Sequence, residues 1–521
     1  MNRPTLRPVT RRDVLELTLR SVASLAFVPA VGACGAEDSP PPSARRIEFT
    51  PATVTAVEAL AEQCMLAFDA PGAAFALLQG GEVIYAKGFG VRNLATGQPF
   101  TPDTVHRIAS TSKSMSAMLV ARHVDEGAFG WDTPVHEVWP SLRLPSAELT
   151  QRVTVGQLMG MGTGIGGNPI ELYADLLTPE AFLAELATLP VISPPGPFFY
   201  QNEVYALAAY LRDLKRGIAP AGMTQAYAAA MKASLFEPMG MRTTAISDDP
   251  STVSSNYAVS YGYHLPDGIA SRYLLPFAQI RAAAPAGSVC TTLNDMARYL
   301  LTQLNRGVAP GGARVVSAAN LTRTWQPQTK IDDASAYGMG WFNTRFEGVP
   351  VREHAGAADG FKTDMVMLPD HGLGMLFFTN SESGAAVLWT LRTFLFDALA
   401  GKPSDAFDRA KAAYAEQNAA RQALRDSVKS FTVRRADALP HLGDYEKAWR
   451  VELDEGDMLW LTRASGYRMA LLPIGAGYLI ASANHLSGFG MTVDFTPGAD
   501  GNPRMTVTSD DLVIDSLART P

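Results

Sequence analysis

Three short clusters hold the residues whose types and spacing could do chemistry. The first is Arg107-Ile108-Ala109-Ser110-Thr111-Ser112-Lys113, where a serine opens a helical stretch and a lysine follows three residues on, so that both side chains share one face. A serine hydroxyl is a poor nucleophile. A neutral amine within hydrogen-bond reach can take its proton, and a helix N-terminus offers positive potential and backbone N–H groups to a developing oxyanion. A capping serine followed by a surface lysine has the same spacing. Lys113 is the single lysine of the chain with a serine three positions before it.

The second cluster is Tyr200-Gln201-Asn202 in a Pro- and Gly-rich loop entering a helix. A tyrosine and an asparagine two apart can both face a cleft, the phenol as an acid/base and the amide as an anchor for a carbonyl or for the lysine. A packed tyrosine with a helix-capping asparagine is the structural alternative. The third is His354-Ala355-Gly356-Ala357, placed just before a strand that begins at Lys362. There Gly356 would let a substrate approach the strand edge, and the Ala357 N–H would serve as a second oxyanion donor.

Taken in order, Ser110-x-x-Lys113, Tyr200-x-Asn202 and His354-x-Gly356 resemble the serine β-lactamase and DD-peptidase superfamily, in its class C-like branch. Gly88-Phe89-Gly90, the segment from Val153 to Met159, and Ala286-Gly287-Ser288 agree with it, so the resemblance covers about Ile47 to Leu399. It implies Ser110 as acylated nucleophile, Lys113 as its general base, Tyr200 as proton shuttle and Asn202 as substrate anchor. It also implies substrate contacts at His354 and Gly356, and an oxyanion hole from the backbone N–H groups of Ser110 and Ala357. Class C β-lactamases carry Lys-Thr-Gly at the third motif, whereas this chain carries His354-Ala355-Gly356, as do some peptidase-like, aminopeptidase-like and esterase members. The expected activity is therefore acyl transfer to water from a D-amino-acid peptide, amide or ester, then a short-chain ester, with β-lactams third. A non-catalytic penicillin-recognising or cell-wall binding protein is the reading from another class.

Around the clusters, the periodicity predicts a helix over 54–68, strands over 73–78 and 82–89 joined by Gly80-Gly81, and helices over 110–126, 179–189, 204–214, 225–235 and 294–304. Strands follow at 337–343, 362–368 and 374–379, and then a helix over 385–399. The expected fold class is α+β: one antiparallel sheet from both ends of the region, flanked by helices, with a helical lobe between. Pro403 onward reads as a linker helix, and seven alternating runs between Trp449 and Leu517 read as a small all-β barrel, similar by position and pattern to the barrel appended to many esterase-like members. The expected units are an export signal at 1–34, a tether at 35–46, the hydrolase domain at 47–402, the linker helix at 403–430 and the barrel at 431–521.

The start of the chain reads as targeting. Thr10-Arg11-Arg12, an apolar run from Val14 to Val31 and the small residues before Cys34 have the order of a signal peptide. The paired arginines resemble a twin-arginine signal and Cys34 a lipobox cysteine; a plain secretory signal or simple anchor is the alternative. Export to a bacterial periplasm or cell envelope follows in each case, with membrane attachment through lipid on Cys34 in the second. Of three cysteines, Cys64 and Cys290 remain, either paired or as separate buried thiols. With 47% hydrophobic and 18% charged residues and a net charge of −7, the 521-residue chain has ample core material and no basic surface for nucleic acid. No His/Cys cluster has metal-ligand spacing, and no cofactor is implied; the partner expected is a small-molecule or peptide substrate.

Overall fold

The computed structural model describes residues 47–167, 178–264, 268–429, 433–463, 468–474, 477–482, 491–499, 501–509 and 512–520. The targeting segment, the tether and Cys34 lie outside the described residues.

Helix α1 (Pro51–Ala67) starts with Pro51 in its first turn and the Thr50 side chain accepting from the Thr53 N–H, then leads into β1 (Gly72–Gln79) and β2 (Glu82–Asn93). Gly80 and Gly81 take φ of 63° and 87° at the turn between them, as a two-residue hairpin requires. A short β3 (Gln98–Pro99) precedes the helical lobe, which contains α2 (Ser112–Asp125), α3 (Glu203–Lys215) and α4 (Leu293–Leu304). The sheet resumes with β4 (Thr329–Lys330), β5 (Ala336–Tyr337), β6 (Phe342–Phe346), β7 (Val349–Ala358), β8 (Phe361–Leu368) and β9 (Leu373–Thr379), and α5 (Gly384–Ala400) follows. These strands form one nine-stranded antiparallel sheet in the order β3-β2-β1-β9-β8-β7-β6-β5-β4. The first and last parts of the region thus meet through β1 and β9, with Ala73 opposite Thr379 and Gln79 opposite Leu373.

Alternation along the central strands divides the burial. Ala74, Ala76 and Leu78 of β1, Met365 and Met367 of β8, and Leu376 and Phe378 of β9 join the large core shared with the helical lobe. Phe75 and Phe377 lie on the reverse face, where their rings are 6.2 Å apart and Phe75 stacks on Phe89 at 5.5 Å. Both faces are covered, as the near-continuous apolar strands imply.

Two segments beside the site differ from the periodicity reading. The strand expected over 337–343 is split into β5 and β6, because Gly340 turns back at φ 80° and a side chain there would stand 2.8 Å from the backbone of Lys113. Helix α2 therefore sets the break. Strand β7 has no alternating pattern because Val349–Ala358 carries Pro350, Arg352, Glu353 and four small residues. Its buried charge, Glu353, is met by Arg392, which pairs with it and with Asp364, the latter at 3.0 Å.

By contact the described residues form two compact units. One holds those between Ile47 and Ser260 and between Phe277 and Ala410; the other holds Tyr261–Pro276 and those from Lys411 on. Their boundary falls inside α6 (Ala406–Lys429). In the second unit eight antiparallel strands between Gly443 and Ala518 pair in chain order, and a bridge from Tyr445 to Arg519 joins first to last, making a nearly closed barrel. Trp449, Val451, Leu459, Leu461, Met469, Leu471, Val493, Met505, Val507 and Leu517 are buried in this unit. The architecture is α+β with a terminal all-β barrel.

Candidate active site

The turn that carries Ser110 is held open by local geometry. Ala109–Thr111 form a single 3-10 turn ahead of α2, so Ser110 lies just before the helix instead of at its first residue. Ala109 takes φ 46°, a conformation that costs a non-glycine residue on the order of 1–3 kcal/mol and persists only where its surroundings enforce it. Ser110 is partly exposed, whereas Lys113 on the same helical face is fully enclosed.

Lys113 Nζ lies 3.1 Å from Ser110 Oγ, 2.7 Å from Asn202 Oδ1 and 2.9 Å from the Ala286 carbonyl oxygen. Two of these atoms are carbonyl oxygens and can only accept. As an ammonium Lys113 can donate to all three; after losing one proton it keeps two N–H groups for the carbonyl oxygens and turns a lone pair to the Ser110 hydroxyl, the arrangement a general base requires. Nζ also stands 4.8 Å from the centre of the Tyr200 ring and 5.8 Å from that of Tyr205, whose hydroxyl donates to the Lys113 carbonyl at 2.6 Å. Asn202 opens α3 without capping it; the Gln201 side chain accepts from the Val204 N–H at 2.5 Å, which leaves the Asn202 amide oxygen for Lys113.

The third cluster sits within β7, just ahead of β8 as expected. β6 pairs with β7 only as far as Glu353, while β8 pairs with it to Ala358, so among the described residues Ala355–Ala358 is bordered by a strand on one side. His354 and Gly356 turn inward from this stretch and Ala355 and Ala357 outward. Gly356 is required by the turn before α2: a side chain there would collide with the Ile108 carbonyl and stand 2.5 Å from Thr363 Oγ1.

His354 is buried beside the lysine. Its Nδ1 lies 2.6 Å from the Ala355 carbonyl, which can only accept, so Nδ1 carries the proton and Nε2 accepts from the Tyr337 hydroxyl at 3.2 Å. Burial first and the nearby Lys113 charge second push its pKa down to about 3, against the Ala355 hydrogen bond, which raises it. His354 is thus neutral at neutral pH. Its ring is 6.3 Å from Tyr200.

A buried arginine ties these parts together. Arg107 donates to Asp359 at 2.9 Å, to the Ala278 carbonyl at 2.7 Å and to Asp248 at 3.1 Å. Asp248 also accepts from Ser288 Oγ at 2.6 Å and from the Ile280 N–H at 2.9 Å, and Asp359 from the Ala278 N–H at 2.9 Å. The turn carrying Ser110, the 277–288 loop that presents the Ala286 carbonyl and the turn after β7 share this one cation. Arg107 and Ala286 lie within the motif segments without an expected role; Asp248, Asp359 and Tyr337 lie in none of them. Among the described residues no group of histidine, cysteine and acidic side chains could hold a metal ion, and Cys64 and Cys290 are both free and buried.

Residues 57–400 match the family model described as Beta-lactamase. The chain belongs to the Beta-lactamase family. It is a serine hydrolase of that superfamily. It is 28% identical over 341 residues to penicillin-binding protein 4 of Amycolatopsis lactamdurans, a match spanning 64% of this chain and 86% of that one. It is 23% identical over 340 residues to the unguisins hydrolase ungD' of Aspergillus campestris (strain IBT 28561), spanning 62% of this chain and 61% of that one. In fold it is similar to the octameric penicillin-binding protein homologue of Pyrococcus abyssi, with a TM-score of 0.56 at 21% identity over 89% of this chain and 100% of that one. It is also similar in fold to SurE in its crystal structure with D-Leu, with a TM-score of 0.55 at 20% identity over 90% of this chain and 100% of that one.

The neutral, buried His354 has a consequence for acid stability. Unfolded, the imidazole takes up a proton below its ordinary value of 6.5; folded, it does so only near 3. Its contribution is therefore complete above pH 6.5 and lost as pH falls from there toward 3, at up to about 1.4 kcal/mol per pH unit. Urea unfolding of wild type and His354→Gln at pH 7 and pH 4.5 should show a smaller acid loss in the variant. An equal loss in both would mean that His354 is protonated in the folded protein.

Proposed function

We propose that Ser110 is an acylated nucleophile and Lys113 its general base, and that the protein hydrolyses a peptide, amide or ester through an acyl-enzyme. The observation that carries this reading is the placement of Lys113 Nζ, 3.1 Å from Ser110 Oγ and bound by two oxygens that accept its protons. In the first step Ser110 Oγ attacks the substrate carbonyl carbon as its proton passes to Lys113, and the backbone N–H groups of Ser110 and Ala357 receive the oxyanion. The leaving amine or alcohol is protonated through Lys113 or Tyr200, whose ring lies against the amine. Water then attacks the acyl carbon, one of its protons passes through Lys113 or Tyr200 to Ser110 Oγ as the acyl–Oγ bond breaks, and the carboxylic acid leaves. Asn202, His354 and Gly356 line or support the substrate place in this reading.

The substrate class proposed first is a D-amino-acid peptide, amide or ester, then a short-chain carboxylic ester, with β-lactams last. The names of the relatives, a penicillin-binding protein and an unguisins hydrolase, and the D-Leu in the SurE structure support peptide or amide chemistry. The neutral His354 supports the low place of β-lactams, since the third motif offers no lysine charge there. Initial rates on D-alanyl-p-nitroanilide, p-nitrophenyl acetate and nitrocefin test the order. Turnover of either of the first two should exceed that of nitrocefin, and Ser110→Ala should lower it about 10³-fold or more. Undiminished turnover in Ser110→Ala would refute the mechanism, and nitrocefin as the best substrate would refute the substrate order.

We also propose export, with Cys34 acylated and the catalytic unit held at the cell envelope. The Val31-Gly32-Ala33-Cys34 segment supports it, as does the name of the penicillin-binding relative. No helix among the described residues is long and apolar enough to cross a membrane. In a bacterial host, Cys34→Ser should move the protein from the membrane fraction to the soluble envelope fraction. Equal membrane retention of both forms would contradict lipid attachment at Cys34.

A further inference from the structure

The Ile108 carbonyl accepts two hydrogen bonds from opposite directions. One comes from the Thr111 N–H at 3.2 Å and closes the turn around Ser110; the other comes from the Thr363 hydroxyl on β8 at 3.0 Å. Thr111 Oγ1 lies 2.9 Å from Thr363 Oγ1 and 3.3 Å from the His354 carbonyl. Two hydroxyls have two protons between them, and Thr363 gives its own to Ile108, so Thr111 gives its proton to Thr363, the nearer of its two acceptors. Both threonines are buried, and the pair crosses from the nucleophile turn to the strands at Gly356, where a side chain would strike the Ile108 carbonyl.

We propose that Thr363 is a positioning residue for Ser110: with Thr111 it latches the nucleophile turn to the strand pair bearing Ala357, and so sets the gap between the two oxyanion donors. The proposal rests on the reading of Ser110 as nucleophile. Three features make the latch more than a satisfied core pair. Its acceptor is the carbonyl on which the Ser110 turn closes. The turn it restrains contains Ala109 at φ 46°, which relaxes if the carbonyl is let go. Its other end is the register neighbour of Gly356, one residue from Ala357. Donor hydrogen bonds to an oxyanion act only in a narrow range of distance, so a small drift of the turn costs rate while leaving substrate binding nearly unchanged.

Thr363→Val keeps the shape and loses the hydroxyl; Thr363→Ser keeps the hydroxyl. Each is compared with wild type by kcat and KM on p-nitrophenyl acetate and by the rate of covalent labelling with a p-nitrophenyl alkylphosphonate. In that reaction Ser110 Oγ bonds to phosphorus, p-nitrophenolate leaves, and the phosphoryl oxygen takes the oxyanion place. Rates are referred to the folded fraction by near-ultraviolet circular dichroism. Thr363→Val should lose about tenfold or more in kcat and in labelling with KM within about twofold, and Thr363→Ser should restore both to within about threefold. Wild-type rates in Thr363→Val, or a loss confined to stability, would overturn the latch. Should Thr363→Val fail to fold, Thr111→Val gives the same readout from the other side, and wild-type labelling there would overturn it equally. No labelling of wild type at Ser110 would instead refute the nucleophile reading, and the latch with it.

Discussion

A lysine amine enclosed by protein must have its N–H groups met by acceptors, since none can come from bulk water. Much of the first unit can be understood as the way this chain meets that demand for Lys113. Helix α2 supplies the amine, the turn before it supplies Ser110, the start of α3 supplies Asn202 and the 277–288 loop supplies the Ala286 carbonyl. Tyr200 and Tyr205 close over it with their rings. Gly340 must be a glycine because the backbone of Lys113 passes it closely. Four segments far apart in the chain are thus set by one nitrogen.

The same logic operates a few residues earlier. Arg107 is buried, and its partners Asp248 and Asp359 bind in turn to the 277–288 loop. A buried ion pair adds little stability compared with a well-packed apolar replacement, but removing one partner costs about 3–5 kcal/mol, so the network holds one arrangement against others. That arrangement brings the loop, the Ser110 turn and the end of β7 to a common place. Thr363 and Thr111 join turn and strand at a second point, and His354, neutral and bonded to Tyr337, occupies the inner side of β7 between them and the lysine.

The elements of the sheet, the helices of the lobe and the terminal barrel could be read from apolar periodicity and turn residues, because those segments bury one regular face. Three motifs name the candidate site residues, and the fold gathers Ser110, Lys113, Tyr200, Asn202 and His354 into one place. What stayed hidden depends on contacts between distant segments. β7 has no alternating pattern, since Glu353 is buried through Arg392, which stands 39 residues on. The split of β5 from β6 is dictated by α2. The need for glycine at 356 shows only when the Ile108 carbonyl is seen against it. Tyr337 and Asp248 lie in no motif, and only the folded chain brings them to His354 and Arg107.

The pairing of Ser110 with Lys113 is tested most directly by time-resolved intact mass after mixing with an aryl ester, wild type beside Lys113→Met, with peptide mapping of any adduct. The expected result is an acyl adduct on Ser110 that forms and decays in wild type and forms far more slowly in Lys113→Met. An adduct on another residue, or one that forms equally fast without the lysine, would contradict the account.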